Sequence, residues 1–282
     1  MKNMRTRKRV ASVALNGFIA ILAILWLVPV FWLIVSSFRA EQGAYTPYLW
    51  PKGFTFDNYI RLFTDRKLFD FPKWFGNTMF VAGCSCVITT ILTLMVAYVY
   101  SRLRFPRRKF LMNVSLILGM FPGFMSIIAI YHFMKAVSLD QTLLALILVY
   151  SGGAALNYYI AKGYFDTIPK SLDEAAFIDG ATKFQVFTKV TLPLSKPTIV
   201  YTVLTSFMAP WLDFIFAKVI CRADAKYYTV SIGLWKMLEK EYIDSWYTCF
   251  AAGAVLVSIP IAILFVCMQN CYVEGMAGAV KG

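Results

Sequence analysis

Six long apolar runs divide this 282-residue chain, at residues 10–38, 76–100, 110–133, 139–161, 198–220 and 247–272. Each supplies the roughly 20 apolar residues that a helix needs to cross the hydrocarbon core of a bilayer. The pattern predicts an all-α polytopic membrane protein with six transmembrane helices. Pro29, Pro122, Pro210 and Pro260 fall inside these runs. Proline is tolerated in spanning helices because neighbours re-satisfy the freed carbonyls, and kinks are expected at these points.

Composition agrees with this reading. The chain is 59% hydrophobic and 15% charged, against about 45–50% and 25% in a soluble domain. Its net charge is +13, from 28 Lys/Arg and 15 Asp/Glu. A nucleic-acid partner would require a basic patch on a soluble surface. Here the cations gather at the ends of apolar runs, so no nucleic-acid partner is expected. Lys2, Arg5, Arg7, Lys8 and Arg9 precede the first run. A cleaved signal has an apolar region of only about 7–15 residues before its cleavage site. This run is longer and is expected to remain as an anchor.

Orientation follows from Lys/Arg density in short loops, which stay in the cytoplasm. Residues 101–109 carry Arg102, Arg104, Arg107, Arg108 and Lys109, and residues 162–197 carry Lys162, Lys170, Lys183, Lys189 and Lys196. Both loops, the basic N-terminus (1–9) and the tail (273–282) are predicted cytoplasmic. Loops 39–75 and 222–246 are predicted outside. Cys84, Cys86, Cys267 and Cys271 lie in or beside spans and read as apolar filling. A disulfide between Cys221 and Cys249 is open. No Cys/His spacing suggests a metal site.

The loop at 162–197 carries the most specific signals. Ser171 with Glu174, and Thr182 with Gln185, each fit a capping box at a helix start. Gly180 suits a left-handed helix end. A second helix is expected to run to about Val190, stopped by Thr191-Leu192-Pro193. The prediction is helix–glycine–helix, with small side chains at Ala175 and Ala176.

Glu174-Ala175-Ala176-x-x-Asp179-Gly180, then nine residues, then Val190-x-Leu192-Pro193, resembles the EAA motif of permease subunits of bacterial ABC importers. Val190 stands where Ile is usual. The resemblance implies the type I importer permease fold, with its core at 76–272. It also implies that Glu174, Ala175, Ala176, Asp179 and Gly180 dock on an ATPase subunit, with Leu192 and Pro193 completing the motif.

Shorter segments carry the likeness along the chain. Trp32–Arg39, Phe54–Tyr59, Trp74–Thr78, Arg102–Pro106 and the glycine-rich end Tyr272–Gly282 are similar to carbohydrate-importer permeases. Met120-Phe121-Pro122 with Ile128–Tyr131, Ser151-Gly152-Gly153 with Lys162–Phe165, and Phe250–Ala254 with Pro260 resemble the second inner-membrane subunit of maltose/maltodextrin transporters. The implied substrate is an oligosaccharide, malto-oligosaccharide first. The implied partners are a second homologous permease, an ABC ATPase homodimer, an extracytoplasmic sugar-binding protein and membrane lipid. The tail is expected to reach toward the ATPases, and loop 222–246 toward the binding protein. The implied location is a bacterial inner membrane.

No G-x-x-x-x-G-K-[ST] run occurs, so ATP phosphates have no cradle of the usual kind here. No cofactor is expected, ATP being bound by a partner, and the chain is not expected to be an enzyme. The alternative is an ion-coupled secondary transporter or channel, which would place ionisable groups within the membrane. Asp213 is the one carboxylate well inside a predicted span, and His132 lies near the end of another. Asp213 and Trp211 are candidates for the substrate path, although Leu212 stands where sugar permeases of this type often carry Asn. A carboxylate merely satisfied by a neighbouring helix is the competing reading of Asp213. Tyr131, Tyr150, Tyr158, Tyr159 and Trp211 could stack on sugar faces or form an interfacial belt.

Overall fold

The computed structural model describes residues 2–48, 50–120, 123–153, 155–222 and 224–279, with side chains described except at 2–11, 124, 155 and 270–279. Pro122, the side chain of Cys271 and residues 280–282 of the tail lie outside what is described. The chain forms two compact units, residues 1–70 with 234–256, and residues 71–233 with 257–282.

In the first unit, α1 (Lys2–Ser37) contains the apolar stretch Ser12–Ser37, only 6% of whose apolar window is buried. A short helix, α2 (Asp57–Thr64), follows a loop closed by an antiparallel bridge between Arg39 and Phe54. Asn58 holds this unit together. Its Nδ2 donates to the carbonyls of Ser37 (3.0 Å) and Arg39 (2.8 Å), and its Oδ1 accepts from Thr248 Oγ1 (2.8 Å). Buried amides persist when their partners are supplied in this way. Arg61 donates to the Ser245 carbonyl (2.8 Å) and lies 4.0 Å over the Trp246 ring.

The second unit is organised around α3 (Phe71–Arg102), which starts with Pro72 in its first turn and packs against three later helices. Next come α4 (Arg108–Gly119), α5 (Gly123–Ala136), α6 (Leu143–Gly152) and α7 (Ala155–Thr167). The short helices α8 (Lys170–Ile178), α9 (Lys183–Val186) and α10 (Leu192–Leu194) follow, then α11 (Lys196–Leu212) and α12 (Ile215–Cys221). The helices α13 (Val230–Met237) and α14 (Ile243–Ala279) run through both units. α3 packs most extensively on α11, α7 and α6.

Its buried face is rich in small hydroxyl residues, Thr78, Ser85, Thr89 and Thr93. Thr78 donates to the Trp74 carbonyl and accepts from the Val230 amide. Small residues of this kind allow close helix approach where lipid offers no hydrophobic drive. Gly233 is the extreme case, since a Cβ there would overlap the Trp74 ring.

Three helices are long and apolar enough to cross a membrane: Ser12–Ser37, Phe71–Arg102 and Ile243–Gln269. Two pairs pass the same test when joined across a bend. Leu143–Gly152 with Leu156–Thr167 bends by 42°, and Lys196–Leu212 with Ile215–Cys221 by 60°. The described residues therefore contain three such helices, or five if each bent pair is one span.

Three of the six predicted runs are divided along their length. The run at 110–133 is divided between α4 and α5. The run at 139–161 starts in a turn, with Gln141 at φ 57°, and reaches helix at Leu143, capped by Thr142. It breaks again at Gly152-Gly153, where glycine costs a helix about 1 kcal/mol per residue. The run at 198–220 breaks at Asp213, whose backbone is extended (φ −82°, ψ 121°). That break lies three residues past Pro210, not at it. Pro29 and Pro260 sit within continuous helices. Cys221 and Cys249 are each buried free thiols, one in each unit.

Candidate functional site

The helix–glycine–helix segment begins with α8. Its N-cap is Pro169, and no side chain caps it. The expected capping box from Ser171 to Glu174 is therefore not formed. Pro169 sets the turn, Leu172 N–H bonds back to its carbonyl (3.3 Å), and Ser171 is already inside the helix.

The end of α8 follows expectation. Gly180 adopts φ +84°. Its N–H donates to Phe177 O (3.0 Å), and Ala181 N–H donates to Ala176 O (2.9 Å). These two bonds make a complete Schellman motif, which satisfies carbonyls that the helix end would leave orphaned.

The second capping box is present. Thr182 Oγ1 accepts from Gln185 N–H (3.3 Å), and Gln185 Oε1 accepts from Thr182 N–H (2.7 Å). The second helix is not stopped at Thr191–Pro193, which corrects the expectation. After α9 it widens into a π turn, Phe187–Thr191, and continues as α10 through Pro193 to Leu194. Leu192 N–H bonds to Phe187 O. Pro193 has no N–H and would crowd a carbonyl four residues back. A wider turn moves those carbonyls and lets the chain pass.

Of the motif residues, Glu174, Ala175, Asp179 and Gly180 are exposed and Ala176 is half-buried. Ala176, Asp179 and Gly180 line a shallow cleft of about 310 Å³ with Gln185, Lys189 and Val190. Beside them Ile178 and Phe184 are 86% and 71% exposed. Leu192 separates from this surface and packs on the buried cluster of Leu94, Ala97, Tyr98, Ala161, Phe165 and Phe187. Pro193 is exposed.

Sequence reasoning missed what anchors this surface. Arg102 Nε stands 2.8 Å from Asp173 Oδ2, with side chains only 5% and 9% exposed. Arg102 Nη2 also donates to the Ile168 carbonyl (3.0 Å). Ser101 Oγ donates to Asp166 Oδ1 (2.6 Å), Lys162 pairs with the other oxygen of Asp166, and Tyr98 donates to the Lys183 carbonyl (3.2 Å). Arg102 reads in sequence as one of several basic loop residues. The available signal is that it alone continues the helical phase of α3.

A separate cavity of about 680 Å³ lies among α3, α4, α5, α6, α7, α11 and α12. Its wall is mostly apolar, with Thr89, Ser126, Tyr150, Asn157, Thr205, Ser206 and Asp213 as polar points. Cavities of this size with a few placed polar groups suit small-molecule ligands. Thr205 and Ser206 donate to carbonyls one turn back, at Tyr201 and Thr202. Each keeps lone pairs free to accept.

Asp213 occupies the break between α11 and α12. Its carboxylate accepts from the N–H groups of Phe216 (3.2 Å) and Ala217 (3.0 Å), and from Tyr150 OH (2.6 Å). Ser231 Oγ donates to its backbone carbonyl (2.6 Å). Asp213 is thus satisfied by neighbouring elements and also faces the cavity. An Asp shortly after Pro210 in an apolar run is a legible helix-start signal. Trp211 does not line the cavity. It is 3% exposed and packs on Phe75 and Phe207, at ring separations of 5.2 and 6.0 Å.

Of the aromatic candidates, Tyr150 lines the cavity, and Tyr131 lies under Arg222 at 4.3 Å. Tyr159 donates to the Met112 carbonyl (2.5 Å). His132 is exposed beside Tyr131. Among the described residues no three His, Cys, Asp or Glu side chains are grouped to hold a metal ion.

Residues 89–277 match the family described as binding-protein-dependent transport system inner membrane component. A galactooligosaccharide transport system permease protein of Bacillus subtilis (strain 168) is 33% identical over 284 residues, covering 100% of both chains. A maltodextrin transport system permease protein of the same organism is 32% identical over 99% of this chain and 100% of its own. The maltose/maltodextrin transport system permease protein of Escherichia coli (strain K12) is 37% identical over 74% of this chain and 72% of its own. A chain of a solved bacterial ABC transporter involved in alginate import superposes with TM-score 0.77 at 24% identity, over 93% of this chain and 96% of that one. That last likeness concerns the fold.

Proposed function

Because the chain belongs to the family of inner-membrane components of binding-protein-dependent transport systems, we propose that it is a permease subunit of an ATP-driven oligosaccharide importer. In this family the ATPase is a separate subunit, and the chain itself is a membrane permease component, not an enzyme. The family match lends no support to the ion-coupled transporter.

The observation that carries the coupling role is the exposed surface of α8 and the turn after it. Glu174, Ala175, Asp179 and Gly180 stand in solvent beside Ile178 and Phe184, on a backbone locked by a Schellman motif and a capping box. An exposed apolar patch on a rigid frame, rimmed by polar residues, is what a docking partner needs. The partner is an ATPase homodimer, with a second permease completing the pathway and a sugar-binding protein delivering substrate. Closure of the ATPase dimer on ATP moves the docked segment, and the spanning helices turn to open the opposite side. Six spans with both termini cytoplasmic belong to this proposal, supported by the Lys/Arg-rich loops at 101–109 and 162–197.

The substrate path runs through the cavity at Asp213 and Tyr150; Trp211 has no part in its wall. Asp213 is the one charged side chain lining that cavity among the described residues, which disfavours polyanionic sugars and favours neutral ones. Malto-oligosaccharide is the first candidate. Galacto-oligosaccharide is the second, because the galactooligosaccharide permease matches end to end.

Purification of the tagged chain from its native membrane in mild detergent tests the assembly, and uptake of labelled maltotriose or a galactosyl trisaccharide tests the cargo. Co-purification of an ATPase and a second permease is expected. A chain that emerges alone would defeat the reading.

A further inference from the structure

The last turns of α3 bond at three successive places to the docking segment and to the helix before it. Tyr98, Ser101 and Arg102 are three and four residues apart and so share one helix face. Tyr98 bonds the start of α9 at Lys183, Ser101 bonds the end of α7 at Asp166, and Arg102 bonds Ile168 and α8 at Asp173. The same helix lines the cavity at Thr89. Thirteen residues of helix separate Thr89 from Arg102, about 20 Å at 1.5 Å per residue.

We infer that α3 is the lever that carries movement of α8 to the cavity, and that the Arg102–Asp173 pair is its joint. This rests on the docking role proposed for α8.

Three features single out this pair. Among the described residues it is the ion pair that ties α8 itself to α3, while Ser101 and Tyr98 hold the flanking helices. It is buried, so solvent does not screen it. It is also incompletely satisfied: Nε and Oδ2 lie at ion-pair distance, yet Arg102 Nε, Arg102 Nη1 and Asp173 Oδ1 find no hydrogen-bond partner among the described residues. Well-packed apolar residues of similar volume often replace a buried ion pair with no loss of stability. A charged pair instead fixes one register between two helices, which a lever requires. Arg102 and Asp173 are positioning residues in this scheme, remote from the sugar.

The test uses the whole importer reconstituted in vesicles, with sugar transported per ATP hydrolysed as the readout. Arg102→Met and Asp173→Asn should assemble and hydrolyse ATP while transport per ATP falls about tenfold, and Arg102→Lys should recover part of it. The double variant Arg102→Met/Asp173→Leu separates structure from coupling. It should regain thermal stability relative to the single variants yet stay uncoupled. A double variant with the wild-type ratio would overturn the inference, as would single variants that lose stability while the ratio holds. If the wild-type chain recruits no ATPase, the importer reading falls first and the lever falls with it.

Discussion

Tyr150 OH donates to the Asp213 carboxylate across 2.6 Å, from α6 to the break between α11 and α12. The same carboxylate caps α12 through Phe216 and Ala217. The two roles differ in what they support. Asp213→Ala removes the cap and Tyr150's acceptor together and should cost about 1–2 kcal/mol. Tyr150→Phe removes one hydrogen bond and should cost about 1 kcal/mol. Thermal unfolding of the purified protein should rank Asp213→Ala as the more damaging. The reverse order would mean that the cap contributes little.

Gly180 has open space around its Cα, so a substitution there acts through the backbone alone. Gly180→Ala forces a left-handed residue at about 1–2 kcal/mol and should reduce transport without abolishing it. Gly180→Pro locks φ near −65° and destroys the Schellman motif. It should abolish uptake while the membrane level of the protein is kept, as read by immunoblot beside labelled-sugar uptake. Full uptake by Gly180→Pro would refute the docking role of the segment.

At Gly233 the constraint is steric. Gly233→Ala would press its methyl into the Trp74 ring, an overpacking that costs about 1–3 kcal/mol. Adding Trp74→Leu should return part of that loss in a thermal-unfolding double-mutant cycle. Strict additivity would show that the two sites do not meet.

The proposed topology puts residue 183 in the cytoplasm. Lys183→Cys spares the Thr182 cap and leaves an exposed thiol. A membrane-impermeant maleimide should label it in inside-out vesicles and not in right-side-out cells. Labelling in intact cells would invert the orientation.

What the sequence reveals here follows the range of each interaction. The Thr182–Gln185 box and the left-handed Gly180 depend on residues a few positions apart, and both can be read directly. The Ser171 box has the same form, yet Pro169 starts the helix early enough to put Ser171 inside it. Six apolar runs are visible, but a run does not show its internal breaks. Gly152-Gly153 and Asp213 interrupt theirs because glycine weakens a helix and an aspartate offers a fresh cap. Arg102–Asp173 spans 71 positions, and Trp211 against Phe75 spans 136. No local pattern announces such contacts, and both came from the fold.

The π turn at Phe187–Thr191 has a consequence for everything after it. Each residue of α-helix advances the chain by about 100° around its axis, so one residue of slack sets the angular phase of the span that follows. Thr198, Thr202 and Ser206 are buried on α11, the helix that packs on α3 and that follows the turn after α10 and a cap at Ser195. A one-residue insertion or deletion beside the turn, with the turn itself kept, would rotate that face by about 100°. The turn serves as a phase-setting gear between the docking segment and the cavity wall.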